Sequence, residues 1–202
     1  MELLKAIEGI RTPFWDSVMS AVTYLGDELI FMAGVLLVLW CIDKKWGYRL
    51  FIMGMAGTIV NQFLKAIFVV PRPWVRDPAF TIVESAREGA SGYSFPSGHT
   101  QSAATLFGGV AAWRKDSWRA TLICTLLVLL TGFSRMYLGV HTPADVFTSL
   151  GTCLVMVVGF SLAFAKAENS RKGKYAIGLG TLALAAAALI YVLAAPKGPG
   201  HV

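Results

Sequence analysis

Two histidines and an aspartate lie close to fixed positive charges in three short polar segments of an otherwise apolar chain. These segments are residues 65–73, 96–99 and 134–145. A neutral imidazole can attack phosphorus to give a phosphohistidine, and a second, protonated imidazole can give its proton to the leaving oxygen and later activate water. Such residue types predict phosphoryl transfer, provided that the fold brings the three segments together.

The third segment contains the strongest pattern for a nucleophile. Asp145 lies four residues beyond His141, close enough to accept a hydrogen bond from one ring nitrogen and leave the other free. His141 is therefore the predicted nucleophile and Asp145 its partner, while His99 supplies the second imidazole. Charge that develops on the transferring phosphoryl group would be stabilised by nearby cations, which is the main task in phosphoryl transfer.

The predicted phosphate-binding groups are cations and helix N-termini. Lys65, Arg72 and Arg135 supply three positive charges, and the two guanidinium groups can bind phosphate oxygens in pairs. Ser97-Gly98 precedes a helix predicted to begin near His99, and Thr142-Pro143 caps the helix after His141, so two helix N-termini would direct free N–H groups at one anion. No carboxylate pair or clustered cysteines are available to hold a metal, so we predict no metal and no cofactor.

Each of these residues also has a simpler interpretation. Thr142 and Asp145 form a capping-box pattern, in which the acid serves only the helix start. Lys65 and Arg135 are long enough to extend to lipid headgroups from span ends. The remaining charged residues of the loop at residues 71–97 are predicted to be solvated, with no catalytic role: Arg76, Asp77, Glu84, Arg87 and Glu88.

The composition indicates a membrane protein. Of 202 residues, 55% are hydrophobic and only 15% charged, with a mean hydropathy of +0.60. The net charge of +6 does not predict nucleic-acid binding, because the basic residues are grouped at the ends of apolar runs, where they orient the chain in a bilayer. Lipids are therefore the expected surroundings, and the oligomeric state is left open.

The order of apolar runs predicts an all-α fold: one domain over residues 1–202, an integral membrane bundle of six transmembrane helices. Residues 1–25 form an N-terminal amphipathic, interfacial segment, in which Thr12-Pro13 has the pattern of a helix start. Residues 71–97 form an extramembrane loop, and residues 196–202 a short tail. The predicted crossings are residues 29–42, 48–70, 98–113, 120–138, 143–165 and 175–193. The first of them is short and must borrow length from its flanks.

The distribution of lysine and arginine predicts the orientation. One side of this topology carries ten of them in three short loops and the other side carries eight. The positive-inside rule then places both termini and all three polar segments outside. The ten are Lys44, Lys45, Arg49, Arg114, Lys115, Arg119, Lys166, Arg171, Lys172 and Lys174.

Taken together, the three segments resemble the signature of the type 2 phosphatidic acid phosphatase superfamily. The matching residues are Lys65 with six residues before Arg72-Pro73, then Pro96-Ser97-Gly98-His99, then Ser134-Arg135 with His141 and Asp145. The resemblance implies that His141 is the nucleophile, His99 the general acid and Asp145 the partner of His141. It also implies that phosphate is bound by Lys65, Arg72, Ser97, Gly98 and Arg135.

The membrane branch of that family implies a lipid phosphate or pyrophosphate substrate and a bacterial cytoplasmic membrane. With an outward-facing site we expect undecaprenyl pyrophosphate, with phosphatidylglycerophosphate or phosphatidate as alternatives. Two rivals stay open. The same constellation binds vanadate in haloperoxidases, although those relatives are soluble. A non-catalytic lipid-phosphate binding or transport protein is the second, but it would not need both histidines and the aspartate.

Overall fold

The computed structural model describes residues 1–194, and the predicted tail at residues 196–202 lies outside them. The described chain is helical, with short 3₁₀ and π turns and no β-strand, as predicted for an all-α fold. Its helices are α1 (Glu2–Glu8), α2 (Pro13–Thr23), α3 (Glu28–Leu37), α4 (Lys44–Phe68), α5 (Pro73–Arg76), α6 (Gly98–Trp113), α7 (Trp118–Tyr137), α8 (Pro143–Lys166) and α9 (Arg171–Ala194).

By length and composition, the described helices support four or five membrane crossings, against the six predicted. Within residues 1–194, four helical stretches are long and apolar enough to span: Lys44–Arg76, Trp118–Tyr137, Pro143–Lys166 and Arg171–Ala194. A fifth exists if Pro13–Gly26 and Glu28–Ile42, bent by 49° relative to each other, count as one broken span. Six crossings are not confirmed, because α6 has only 16 residues and would extend about 24 Å, less than the roughly 30 Å hydrocarbon core.

The N-terminal segment that was predicted to be interfacial contains two helices, α1 and α2. The short helix α1 is amphipathic, with Leu4 and Ile7 buried and most of its other residues exposed. Thr12 caps α2 by accepting a hydrogen bond from the Trp15 N–H, and Pro13 occupies the first helical position. However, α2 and α3 form the bent pair described above. Residues 13–42 together are therefore long enough to complete the predicted first crossing, residues 29–42, which is too short by itself.

Helix α6 lies at the centre of the bundle and packs against α3, α4, α7 and α8. The core around it is built from side chains of all five helices: Phe31, Val35, Leu50, Met53, Ala104, Leu106, Val128, Cys153 and Val157. The last helix, α9, packs on α4 and α8 at the edge and has one buried residue, Thr181. A central α6 explains how a short helix with Thr100 and Gln101 buried fits a membrane protein, since protein rather than lipid surrounds it.

The end of the bundle that carries the polar segments is closed by the N-terminal helices and the 71–97 loop. Ile7 and Met19 pack with Ala86, Ala90 and the α7–α8 connection in a second core cluster. The buried residues of this cluster include Tyr137, the last residue of α7, and Leu138 and Val140 of the connection that follows it. The loop predicted to be extramembrane is therefore folded down onto the residues that flank His141.

Candidate active site

The three polar segments meet at a cavity of about 400 Å³, where α4 ends and α6 and α8 begin. Five of the predicted site residues line it: Lys65, Arg72, Gly98, His99 and His141. The other three, Ser97, Arg135 and Asp145, are buried directly behind this wall and are not among its lining residues. Several residues without a predicted role also line it: Gly26, Asp27, Glu28, Leu29, Asn61, Gln62, Gly89 and Ser91.

His141 lies between α7 and α8 and is held by a cation on one side and a carboxylate on the other. Its Nε2 is 2.9 Å from Nη1 of Arg72. A guanidinium group can only donate, so Nε2 must accept and carries the lone pair. The proton of a neutral ring is then on Nδ1, which faces Asp145 Oδ2 at 3.4 Å, longer than an ordinary N–H···O bond. This tautomer leaves Nε2 as the nucleophilic atom.

The surroundings of His141 keep its imidazole neutral. The side chain is only 2% exposed. Burial lowers the pKa of His141 well below its ordinary value, and the charges of Arg72 and Arg135 lower it further, against the opposing effect of Asp145. A neutral ring at physiological pH is the form that can attack an electrophile.

Asp145 is fixed by its helix and by the loop above it. Thr142 and Asp145 form a capping box: the Thr142 N–H donates to Asp145 Oδ2 at 2.7 Å, and the Asp145 N–H donates to the Thr142 hydroxyl at 3.3 Å. The Ser94 hydroxyl, which has no exposed surface, donates to the same Oδ2 at 2.5 Å. The capping and site interpretations of Asp145 are therefore compatible, because the bonds that start α8 also hold the carboxylate beside His141.

Two of the cavity's cations are held by backbone carbonyls of the loop. Lys65 Nζ donates to Tyr93 O at 2.7 Å. Arg72 donates through Nε to Gly92 O and through Nη2 to Ser91 O, at 3.0 and 2.8 Å. Carbonyl oxygens orient these two cations without neutralising them, so both can still bind an anion. Asp27 and Glu28 also line the cavity and bring two negative charges. Neither side chain extends away toward headgroups.

Arg135 is buried behind the cavity with most of its guanidinium unpaired. It is 1% exposed, and Nη1 donates to the Thr23 hydroxyl at 2.8 Å. Its Nε and Nη2 have no hydrogen-bond partner among residues 1–194. Its buried charge adds to the positive potential of the site, at a cost in stability because part of the guanidinium is unpaired. Since Arg135 is buried, it is not a residue extended toward lipid headgroups.

The N-terminus of α6 forms the floor of the site. The Ser97 hydroxyl caps α6 by accepting from the Thr100 N–H at 3.4 Å and from the Thr100 hydroxyl at 2.9 Å. Ser97 is further fixed by Asp145 O, which accepts from its N–H, and by the Ser149 hydroxyl, which donates to its carbonyl. Gly98 and His99 follow in the first turn of the helix and face the cavity. Ser97 thus orients this turn, while its own side chain is turned away from the cavity.

Some of the residues without a predicted role could have been identified from the sequence, and others could not. Asn61 is a visible polar residue in an apolar run, so its position facing the cavity had a signal. Ser94 and Thr23 had none, because only the tertiary structure brings them to Asp145 and Arg135. The charged loop residues do lie at the surface: Glu84 pairs with Arg87, and Asp77 pairs with Lys5 at 2.8 Å.

Comparison with known proteins identifies the family. Residues 45–169 match the family model of the PAP2 superfamily, and this range contains all the predicted site residues. This chain belongs to the PAP2 superfamily.

Relatives of this PAP2 chain include lipid phosphatases of bacteria. It is 32% identical over 170 residues to undecaprenyl-diphosphatase BcrC of Bacillus subtilis, covering 79% of this chain and 80% of that protein. It is 29% identical over 168 residues to phosphatidylglycerophosphatase B of the same organism, covering 76% and 78%. Among solved structures, Aquifex aeolicus LpxE has a TM-score of 0.69 at 26% identity, covering 79% of this chain and 92% of that one. The PAP2 chain is accordingly a phosphatase and a membrane protein.

Proposed function

We propose that this PAP2 phosphatase hydrolyses a lipid phosphate or pyrophosphate through a phosphohistidine formed on His141, without a metal. The single observation that carries the proposal is the state of His141: its Nε2 lone pair faces Arg72 at the cavity, and its Nδ1 faces Asp145. A phosphate group entering the cavity would take the place of Nε2 as a hydrogen-bond acceptor for Arg72. The same movement would bring phosphorus to the nucleophile.

The chemistry divides into two steps. In the first, Nε2 of His141 attacks phosphorus, the bond from phosphorus to the leaving oxygen breaks, and His99 gives that oxygen its proton. In the second, His99 takes a proton from water, the water oxygen attacks phosphorus, and the P–N bond breaks. Asp145 stabilises positive charge on His141 throughout. Lys65, Arg72 and Arg135 stabilise the phosphoryl oxygens electrostatically, together with the first turn of α6 at Ser97 and Gly98.

The substrate that we favour is undecaprenyl pyrophosphate. The similarity to a protein named undecaprenyl-diphosphatase supports this choice. Lys65 and Arg72, the two cations that line the cavity, are also enough to contact both phosphates of a diphosphate. Phosphatidylglycerophosphate is the second candidate, supported by the similarity to phosphatidylglycerophosphatase B and to the solved structure of such a phosphatase from Bacillus subtilis, with a TM-score of 0.65.

We further propose that the chain crosses the bacterial cytoplasmic membrane six times with its site outside. The crossings would be the bent pair α2–α3, then α4, α6, α7, α8 and α9. Protein contacts on several sides of α6 compensate for its length. The lysines and arginines in the loops at the opposite end of the bundle support a cytoplasmic position for that end.

The deciding experiment measures phosphate release by the purified protein from undecaprenyl pyrophosphate, phosphatidylglycerophosphate and phosphatidate. Wild-type protein is expected to act on at least one of them and His141→Ala on none, with an unchanged melting temperature. Arg87→Ala is the matched control, since Arg87 is exposed, pairs with Glu84 and does not line the cavity. Turnover by a correctly folded His141→Ala protein would refute the nucleophile assignment. Turnover of phosphatidylglycerophosphate alone would refute the favoured substrate.

A further inference from the structure

The cavity contains one buried polar side chain that the proposed chemistry does not use. Asn61 lies on α4 and is 3% exposed, yet it is among the residues that line the cavity. Its amide nitrogen Nδ2 has no hydrogen-bond partner among residues 1–194. Leaving a buried amide donor unpaired is unfavourable, so a side chain in this state needs an explanation.

Asn61 lies beside the groups that are proposed to bind the anion. It precedes Lys65 by four residues on α4, so both side chains lie on the same face of that helix, with Asn61 one turn further along the bundle. On the other side it faces the start of α6: a Cβ added at Gly98 would lie 4.0 Å from Asn61 Oδ1. Asn61 therefore stands between a cation and a helix N-terminus, the two kinds of group that attract phosphate here.

A structural role for this amide is poorly supported. Asparagine is unfavourable in a helix interior, and polar residues in membrane helices are costly unless paired. The amide nitrogen of Asn61 bonds to no group of the described residues, in contrast to the carboxamide of Gln101, whose Oε1 accepts from the Thr152 hydroxyl at 3.3 Å. Rotation of the carboxamide exchanges its oxygen and nitrogen, so an N–H can be turned toward the cavity.

We infer that Asn61 is a further phosphate-binding residue, whose amide donates a hydrogen bond to an oxygen of the anion seated between Lys65 and the first turn of α6. The inference rests on the proposed function. The amide of Asn61 is a neutral donor, so it adds a directed hydrogen bond to the anion without adding charge to the site. The side chain is then paired when the anion is bound and unpaired when the cavity lacks it.

The test measures binding of inorganic phosphate to the intact, detergent-solubilised protein by calorimetry, together with melting temperatures with and without phosphate. Asn61→Leu is the main variant, because leucine has nearly the same size and no donor. Its affinity for phosphate is expected to fall roughly 10- to 100-fold, as for loss of a hydrogen bond to a charged group. Its melting temperature without phosphate should stay equal to wild type or rise, because an unpaired buried amide has been removed.

Thr58→Ala is the matched control, since Thr58 is exposed on the same helix and does not line the cavity. It should bind phosphate like wild type. Unchanged phosphate affinity in a folded Asn61→Leu protein would overturn the inference. So would failure of both Asn61→Leu and Asn61→Ala to fold, because the amide would then serve the folded state.

Binding and turnover separate this inference from the proposed function. If wild type binds phosphate and hydrolyses a lipid substrate while Asn61→Leu binds phosphate equally well, only the role of Asn61 is wrong. If wild type neither binds phosphate nor hydrolyses any of the three lipids, the proposed function itself fails, and the inference fails with it.

Discussion

At the scale of single residues, a few buried hydrogen bonds determine what His141 and Asp145 can do. Arg72 directs the lone pair of His141, and Ser94 and Thr142 together hold Asp145 Oδ2. None of these bonds is made by exposed side chains, so water does not compete for them. The reactivity of the proposed nucleophile is therefore determined by its neighbours.

Ser94 provides a direct test of this arrangement. Ser94→Ala removes the 2.5 Å bond to Asp145 but no group that lines the cavity. A hydrogen bond to a charged group contributes about 1.5–3 kcal/mol, so we expect kcat to fall at least about 10-fold with KM little changed. Steady-state kinetics on the preferred lipid measure both. Ser85→Ala is the control, because Ser85 lies in the same loop and, among residues 1–194, its hydroxyl bonds only to Ser20. An unchanged kcat for Ser94→Ala would show that Asp145 does not need this bond.

The protonation of His141 is a second prediction at this scale. Burial and two arginines lower its pKa below the ordinary value near 6.5, so His141 should remain neutral from pH 7 to below pH 6.5. The unfolded chain takes up a proton near 6.5 while the folded one does not, so this group alone makes folding less favourable as pH falls below 6.5. Nitrogen NMR of histidine-labelled protein measures the titration, with His141→Ala identifying the signal. A protonated His141 at pH 7 would contradict the description of the site.

At the scale of elements, the site depends on where helices begin and how closely they approach. The starts of α6 and α8 are fixed by Ser97 and by the Thr142 capping box, both readable from the sequence. The close approach of the α2–α3 bend to α6 could not be predicted from the sequence. Gly26 at that bend lies against the backbone of His99, and a Cβ there would collide with the His99 carbonyl and lie 2.9 Å from Thr131 Cγ2. The bend thus supports the turn that carries His99.

Gly26→Ala should therefore affect both stability and activity. Overpacking of this kind costs about 1–3 kcal/mol and displaces the first turn of α6. We expect a lower melting temperature and a reduced kcat, measured on the same preparation. Gly151→Ala is the control, because a Cβ at Gly151 meets no atom within 4 Å and alanine favours the helix. A Gly26→Ala protein with wild-type kcat would show that the bend does not position His99.

At the scale of the whole molecule, the two ends of the bundle have different charge chemistry. The site end holds cations oriented by carbonyls, whereas the opposite end holds most of the basic residues of the short loops. Arg49 was counted among those loop residues, but it is buried: it pairs with Glu168, and its guanidinium lies 4.7 Å from the centre of the Trp46 ring. Its charge therefore serves the packing of α4 against the end of α8, and the asymmetry between the two ends rests on the other basic residues.

The proposed orientation can be tested by labelling introduced cysteines in intact cells with a maleimide that does not cross membranes. Glu88→Cys, in the loop over the site, should be labelled without permeabilisation. Asp116→Cys, between α6 and α7, should be labelled only after permeabilisation. Both are built in a background with Cys41, which is exposed, replaced by serine. The reverse pattern would place the site in the cytoplasm.

The sequence by itself determined the all-α class, the approximate helix bounds and the three polar segments, because hydrophobic periodicity and caps act over a few residues. Its count of six crossings went further than the helices support, since the length of a span also depends on which neighbours shield its ends. Only the tertiary structure decided that Ser97 and Arg135 lie behind the cavity wall. It alone also showed that Asn61 and Gly26 line the cavity and that Ser94 bonds to Asp145. These contacts join residues far apart in the chain, so their geometry depends on how the helices pack.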